Sequence, residues 1–225
     1  MSGVEELIAL QSAGCGRTTG TAVVAAAEAH VKEAMAAHDA SHDYAHIARV
    51  REVALRLAEM EGIEDGDELE VIELAALLHD LHDYKYSGSL TAGAEAAAEF
   101  LAGAGMEAER AAAVVDIINS VGFKNEVGGR VEVKSVAHGV VQDADRLDAI
   151  GALGIARTFS YGGRKGRPFY SMAAVDADAD AALPASGLTT EEDDEDGAGR
   201  ELAAGRHAFM EAFLTQFYAE ARGDA

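Results

Sequence analysis

The chain has 225 residues and a formal net charge of −22, from 40 acidic and 18 basic side chains, which excludes a general nucleic acid-binding surface because phosphate backbones would be repelled. This length favours one domain over the alternative of two small ones. The hydrophobic content of 49% fits a globular protein, and neither a membrane-spanning apolar run nor a signal peptide is visible. We therefore expect a cytoplasmic protein, and the dense acidic surface predicts a halophilic, high-salt cytoplasm. The single cysteine, Cys15, excludes an internal disulfide and a zinc site built on several thiolates.

Apolar residues at helical spacing predict a series of helices. Residues 1–20 are weakly patterned and are expected to form an N-terminal extension ahead of one domain over 21–225. Glycines predict a loop over 122–134, with a short hairpin through 130–133. Residues 176–199, rich in Asp, Ala and Gly, predict a mobile acidic loop. Helices are predicted over residues 21–39, from the N-cap Ser41 to Glu61, and over 68–84, 91–104, 107–121, 140–151 and 199–222.

The helix predicted over 68–84 ends in a cluster of ionisable side chains that begins with His79 and Asp80. Imidazole nitrogen and carboxylate oxygen are ordinary ligands of divalent first-row metals. Two adjacent ligands cannot close a metal site, so further ligands must come from elsewhere. His46 lies where the preceding helix enters its apolar stripe, and Asp145 lies among the apolar positions of the helix over 140–151. Taken alone, a buried neutral histidine and a solvated acid are the alternatives for these two residues.

Residues 149–175 contain no Asp or Glu, although the whole chain is strongly acidic. The same window is rich in glycine and carries a group of basic side chains. We expect a basic, glycine-rich loop that binds an anion, because guanidinium groups match the geometry of phosphate oxygens. The alternative is an exposed loop without a ligand. The basic residues of the window are Arg157, Arg164, Lys165 and Arg167.

His46, the doublet His79-Asp80 and Asp145 together resemble the HD-domain superfamily of metal-dependent phosphohydrolases. The separations between them, 33 and 65 residues, suit that family. Three segments are similar to those of a bacterial and archaeal branch of the superfamily. They are Ser-His-Asp-x-x-His (41–46), His-Asp-Leu-x-Asp-x-Lys (79–85) and Gln-Asp-Ala-Asp-Arg-Leu-Asp-Ala-Ile-Gly (142–151).

The resemblance implies an all-α helical bundle with a metal site in its centre, formed by His46, His79, Asp80 and Asp145. It implies one divalent ion, either Mn²⁺, Mg²⁺, Fe²⁺, Co²⁺ or Ni²⁺, and a role for Asp83 in orienting or deprotonating the attacking water.

Basic and polar residues near these motifs are assigned to the phosphate of the substrate. Lys85, Arg49 and Arg146 are candidates for neutralising phosphate charge in the transition state, although surface salt bridges are an equal alternative for the two arginines. The predicted substrate is a small phosphorylated molecule, a nucleotide, and the chain is expected to be a monomer or a homodimer. Nucleoside triphosphate pyrophosphohydrolysis is the first reaction expected, with phosphomonoester hydrolysis second. The full substrate-binding set is His42, Arg49, Arg146, Arg157, Arg164, Lys165 and Arg167.

Two other classes of function use the same scaffold. A di-iron oxygenase would need further ligands, and His82, His42 or His138 would have to supply them. Two irons per chain and a visible absorption band would indicate that class. A non-catalytic nucleotide-binding regulator would bind nucleotide without turnover.

Overall fold

Every regular element in the part of the chain that the structure describes is an α-helix, which confirms the predicted all-α fold class. The structure, a computed structural model, describes residues 18–36, 44–81, 92–121, 135–170 and 198–223. None of the helices in these ranges is both long and apolar enough to cross a bilayer. The helices are α1 (Ala22–Ala34), α2 (Tyr44–Met60), α3 (Gly66–Leu78), α4 (Ala92–Gly103), α5 (Ala108–Val121), α6 (Val136–Asp148), α7 (Gly151–Arg164) and α8 (Ala198–Arg222).

The chain divides into two units, residues 1–145 and 146–225. In the first unit, α1, α2 and α5 pack against α3, and α4 packs against α5. In the second unit, α7 packs against α8. The predicted domain bounds, an extension over 1–20 and one domain over 21–225, stay a prediction.

Helix α3 is the most enclosed element of the first unit. Its last nine residues, from Glu70 to Leu78, are all buried, whereas a surface helix buries only one stripe. The neighbouring helices α1, α2 and α5 account for this burial, because each covers part of the α3 surface. The end of α3 is therefore held from several directions, and this end carries His79 and Asp80.

Side-chain caps mark the starts of two helices. The Thr21 hydroxyl accepts a hydrogen bond from the Val24 amide at 3.2 Å at the start of α1. The Asp65 carboxylate accepts from the Asp67 and Glu68 amides at 2.9 and 3.0 Å at the start of α3. Each cap satisfies amides that have no partner within the helix.

The helix predicted over 68–84 is wrong at its C-terminal end, because α3 ends at Leu78. The Leu81 amide donates to the Leu78 carbonyl at 3.1 Å, which is the shorter spacing of a tight turn. The His79 side chain also bonds to a carbonyl of the last helical turn, that of Ala76, at 2.9 Å. His79 and Asp80 consequently lie where the chain leaves the helix. The first predicted helix, over 21–39, also ends early, at Ala34.

The prediction of a loop within residues 149–175, the window without Asp or Glu, is wrong over most of its length, because α7 runs from Gly151 to Arg164. Glycine within this stretch reflects close packing as well as turns. A Cβ atom at Gly154 would overlap the backbone of Ala149. The left-handed conformation of Gly166, with φ of +64°, suits the turn that follows α7.

Several predictions fall on residues outside the described ranges. They concern Cys15, the N-cap Ser41, the hairpin over 130–133 and all but the last two residues of the acidic loop over 176–199.

Candidate metal centre

Three helices bring together side chains of the first unit that are far apart in the sequence. His46 is the third residue of α2, His79 follows the last residue of α3, and Asp145 lies on α6. Each offers one ligand atom, and these atoms all lie within 4.8 Å of one another. Asp80 joins them, with its Oδ2 atom 3.4 Å from His46 Nε2. The four residues that the sequence resemblance assigned to a metal therefore converge.

The protonation of His79 is fixed by its backbone partner. Its Nδ1 atom lies 2.9 Å from the Ala76 carbonyl oxygen, which can only accept, so Nδ1 carries the proton and donates. In the neutral ring, Nε2 then presents a lone pair. This Nε2 atom is buried without a hydrogen-bond partner, and Asp145 Oδ1 lies 3.5 Å from it. A buried acceptor nitrogen oriented in this way is a typical metal ligand.

The spacing of the donor atoms fits a single ion. Ligands about 2.1 Å from one ion lie about 3.0 Å apart at octahedral angles and about 3.4 Å apart at tetrahedral angles. His46 Nε2 lies 3.4 Å from Asp80 Oδ2 and 3.4 Å from Asp145 Oδ1, and His79 Nε2 lies 3.8 Å from Asp80 Oδ2. These separations exceed ordinary hydrogen bonds. The two separations of 3.4 Å equal the tetrahedral edge, and the separation of 3.8 Å is slightly longer. The residues present therefore fit a divalent metal.

The electrostatics of the cluster favour a cation. Burial by itself would raise the pKa of Asp80, but the charges of the two imidazoles lower it to about 2. Burial opposes ionisation of Asp145 as well, yet the adjacent imidazoles of His46 and His79 hold its pKa far below its usual range. For His79, burial lowers the pKa, but the charges of the two carboxylates outweigh this effect and raise it. Both carboxylates are thus ionised at neutral pH, and a bound cation would neutralise them.

The arginines assigned to the substrate differ in their surroundings. Arg49 on α2 and Arg146 on α6 are half-buried, and burial lowers the pKa of Arg146. Arg157 on α7 is engaged with Asp148, since its Nη1 atom donates to the buried Asp148 carboxylate at 2.6 Å. A guanidinium that already pairs with a carboxylate offers less charge to a phosphate. The substrate roles of these three arginines stay predictions.

The other basic residues of the acid-free window are exposed near the end of α7. Lys165 Nζ and the Arg167 guanidinium lie 5.6 and 5.7 Å from the centre of the Tyr161 ring, in the range of cation–π contacts. Arg164 is the last residue of the same helix. The assignment of these side chains to an anion stays a prediction. The sequence-assigned residues His42, Asp83 and Lys85 lie outside the described ranges.

Gly93 is a neighbour of the centre that sequence analysis did not single out. A Cβ atom on this residue of α4 would lie 2.5 Å from the carbonyl oxygen of Leu81, directly after the His79-Asp80 doublet. A larger residue at position 93 would therefore push on the turn that carries Asp80.

His138, a residue considered for a second iron, lies elsewhere. It lines a cavity of about 400 Å³ with side chains from the start of α3, including Asp67, and from α5, including Arg110. Within the described ranges, the one group of three or more candidate metal ligands is that of His46, His79 and Asp145. His42 and His82, the other residues considered for a second iron, lie outside those ranges.

Comparison with known proteins places this chain in a family. Residues 43–150 match the HD domain model. The chain is 34% identical to YpgQ of Bacillus subtilis over 186 residues, 83% of this chain and 87% of that protein. It also resembles the crystal structure of an HD-superfamily hydrolase from Bacillus thuringiensis, with a TM-score of 0.66 and 33% identity over 88% of this chain and 96% of that one.

The chain belongs to the HD-domain superfamily. The resemblance inferred from the sequence is thereby confirmed, and the family supports a metal-dependent phosphohydrolase in general. HD domains bind divalent metals, which agrees with the convergence of His46, His79 and Asp145. The structure of Bacillus subtilis YpgQ in complex with ADP is also similar, with a TM-score of 0.62 and 28% identity over 90% of this chain and 100% of that one.

Proposed function

We propose that this HD-domain protein hydrolyses nucleotides with one divalent metal ion held by His46, His79, Asp80 and Asp145. The observation that carries the proposal is the convergence of two buried imidazoles and two carboxylates from three separate parts of the chain. Such a ligand set leaves coordination positions for a water and a phosphate oxygen. It also contains no thiolate, so Mn²⁺, Mg²⁺, Fe²⁺, Co²⁺ and Ni²⁺ all remain suitable.

The metal ion and the protein side chains have separate roles in the proposed hydrolysis. A divalent ion held at the centre supplies Lewis-acid polarisation of a phosphoryl oxygen and lowers the pKa of water. Asp83 orients the attacking water and accepts its proton. Lys85, Arg49 and Arg146 offset the negative charge that develops on the phosphoryl oxygens.

A nucleotide is the proposed substrate class because a similar protein, YpgQ, has a structure with ADP. The proposed reaction is pyrophosphohydrolysis of a nucleoside triphosphate. Water adds to the α-phosphorus, the bond to the bridging oxygen of the β-phosphate breaks, and the products are a nucleoside monophosphate and pyrophosphate.

Turnover of a defined panel tests this proposal. Purified protein with Mn²⁺ is incubated with the common ribo- and deoxyribonucleoside triphosphates, ADP and several sugar phosphates, and pyrophosphate and inorganic phosphate are measured separately. Pyrophosphate release from triphosphates supports the proposal, whereas phosphate release from sugar phosphates alone overturns the nucleotide assignment. Protein that binds Mn²⁺ but turns over no phosphate compound overturns the phosphohydrolase.

A further inference from the structure

A buried ion pair joins the two helices that carry the histidines of the centre. Arg51 on α2 is 3% exposed and Glu73 on α3 is 0% exposed. The Arg51 Nε atom donates to Glu73 Oε1 at 2.7 Å, and its Nη2 atom lies 2.5 Å from the same oxygen. Neither residue is among the candidate metal ligands, so an effect of the pair on the centre has to pass through the helices.

Two further elements are attached to this pair. The Arg51 Nη1 atom donates to Glu28 Oε2 on α1 at 3.0 Å. On the other side, the amide and the hydroxyl of Thr19 both donate to Glu73 Oε2 at 2.6 Å. The network thus reaches from the segment before α1, through α1 and α2, to α3.

Glu28 also binds the first residue of α2. Its Oε1 atom accepts hydrogen bonds from Lys32 at 2.6 Å and from the Tyr44 hydroxyl at 2.8 Å. The hydrogen bond from Lys32, with that from Tyr44 and the charge of Arg51, lowers the pKa of Glu28 to about 2. Tyr44 and Arg51 stand on either side of His46 along α2, so one carboxylate holds the helix at both sides of this histidine.

Stability alone is a weak reason for such a network. A buried ion pair loses its hydration, and an apolar pair of similar size is often as stable or more stable. The fork of an arginine against a carboxylate does, however, fix one relative geometry of two helices. Sliding α2 by one turn, about 5.4 Å, would break the pair and would also remove His46 from its 3.4 Å approach to Asp80.

We propose that Arg51, Glu73 and Glu28 are positioning residues of the metal centre, which fix the register of α2 against α3 and thereby hold His46 beside His79 and Asp80. The network lies one to two turns from the histidines, with His46 five residues before Arg51 and His79 six residues after Glu73. This inference rests on the proposed metal centre, because the positions that it explains are those of the proposed ligands.

The Mn²⁺ affinity of a variant that lacks both charges of the pair tests the proposal. The double variant Arg51→Met/Glu73→Gln removes both charges of the pair, and the amide oxygen introduced by Glu73→Gln still accepts from Thr19. Mn²⁺ affinity is measured by competition with a fluorescent chelator, on protein shown to be folded by circular dichroism and thermal unfolding. We expect the dissociation constant to rise about 10- to 100-fold, as is typical when residues that orient metal ligands are lost.

Arg110→Met is the matched control. Arg110 also pairs with an acid of α3, Glu70, at 2.7 Å, but it joins α3 to α5 and not to α2. Its Mn²⁺ affinity should stay within about twofold of the unchanged protein. Two results would overturn the positioning role. One is a Mn²⁺ dissociation constant of the double variant that stays within about threefold of that of the unchanged protein. The other is an equal weakening of Mn²⁺ binding in the Arg110→Met control.

Two further results separate the possible failures. Should the double variant not fold, Arg51→Lys keeps the charge but loses the fork, and it is judged by the same affinity comparison against Arg110→Met. Absence of Mn²⁺ binding by the unchanged protein overturns the metal centre itself. Binding by the unchanged protein with unaltered binding by the variants overturns only the positioning role.

Discussion

Replacing Asp145 by asparagine should remove most of the stabilisation that a metal gives to the folded protein. The change keeps the shape of the side chain but removes one of the two carboxylates that face His46 and His79. The neighbouring Asp143→Asn is the matched control, because Asp143 lies on the same helix but outside the candidate ligand group.

The expected magnitude follows from the number of donors. If an apparent binding free energy of about 10–16 kcal/mol, typical of structural zinc sites, is shared among four donors, the loss of one costs about 2.5–4 kcal/mol, or roughly 10²- to 10³-fold in affinity. At a Mn²⁺ concentration about 100 times the dissociation constant, the unchanged protein gains about 2.7 kcal/mol. A variant with about 100-fold weaker binding gains only about 0.4 kcal/mol.

Thermal unfolding with and without Mn²⁺ measures this difference. For a chain of this length, the midpoint of unfolding should rise by roughly 5–10 °C in the unchanged protein and in Asp143→Asn, but by only about 1–2 °C in Asp145→Asn. Comparing the increments cancels any effect of the substitution on the metal-free protein. An undiminished increment in Asp145→Asn would show that this carboxylate is not a ligand.

Three further changes test other parts of the molecule. Asp83→Asn should lower kcat about 10²- to 10⁴-fold with Mn²⁺ still bound, and full turnover would exclude the proposed base. Because the pKa of Glu28 is lowered from 4.5 to about 2, its stabilisation is fully present above pH 4.5 and is lost as the pH falls towards 2. In urea unfolding, Glu28→Gln should therefore lower the free energy of unfolding by about 1–2 kcal/mol at pH 7, allowing for partial solvent screening, and by far less near pH 2. Equal losses of unfolding free energy at the two pH values would contradict this reasoning. Gly151 has a φ of +74°, and its added Cβ would lie 3.1 Å from Arg206, so Gly151→Ala should cost about 2–3 kcal/mol in urea unfolding. Gly166→Ala, with a φ of +64° but open space around it, should cost only about 1 kcal/mol, and equal costs would refute the steric contribution.

The helices were predictable where apolar spacing alone determines them. Predictions over 107–121 and 199–222 agree closely with α5 (Ala108–Val121) and α8 (Ala198–Arg222). Helix α7 was not predicted, because Gly162, Gly163 and Gly166 among basic side chains suggested a loop. Whether glycine serves a turn or a close contact depends on what lies opposite it, and for Gly154 that is the backbone of Ala149.

The candidate ligands were predictable from the sequence, but the residues proposed to position them were not. His46, His79, Asp80 and Asp145 follow from a spacing that resembles a family. The pairing of Arg51 with Glu73 joins residues 22 positions apart, and nothing in the local sequence of either helix distinguishes these charges from solvated ones. Their partners are set by the packing of α2 on α3, which is a tertiary property.

The exposure of the four proposed ligands indicates how a phosphate would approach. The side chains of His46 and His79 are each 3% exposed, whereas those of Asp80 and Asp145 are 20% and 32% exposed. Solvent therefore reaches the cluster on its carboxylate side, where an anionic substrate would meet two negative charges. Repulsion of this kind is overcome only when a cation lies between the carboxylates and the phosphate. Phosphate binding at this centre should accordingly require the metal, and the roles proposed for Arg49 and Lys85 would depend on the same ion, because the two carboxylates must first be neutralised.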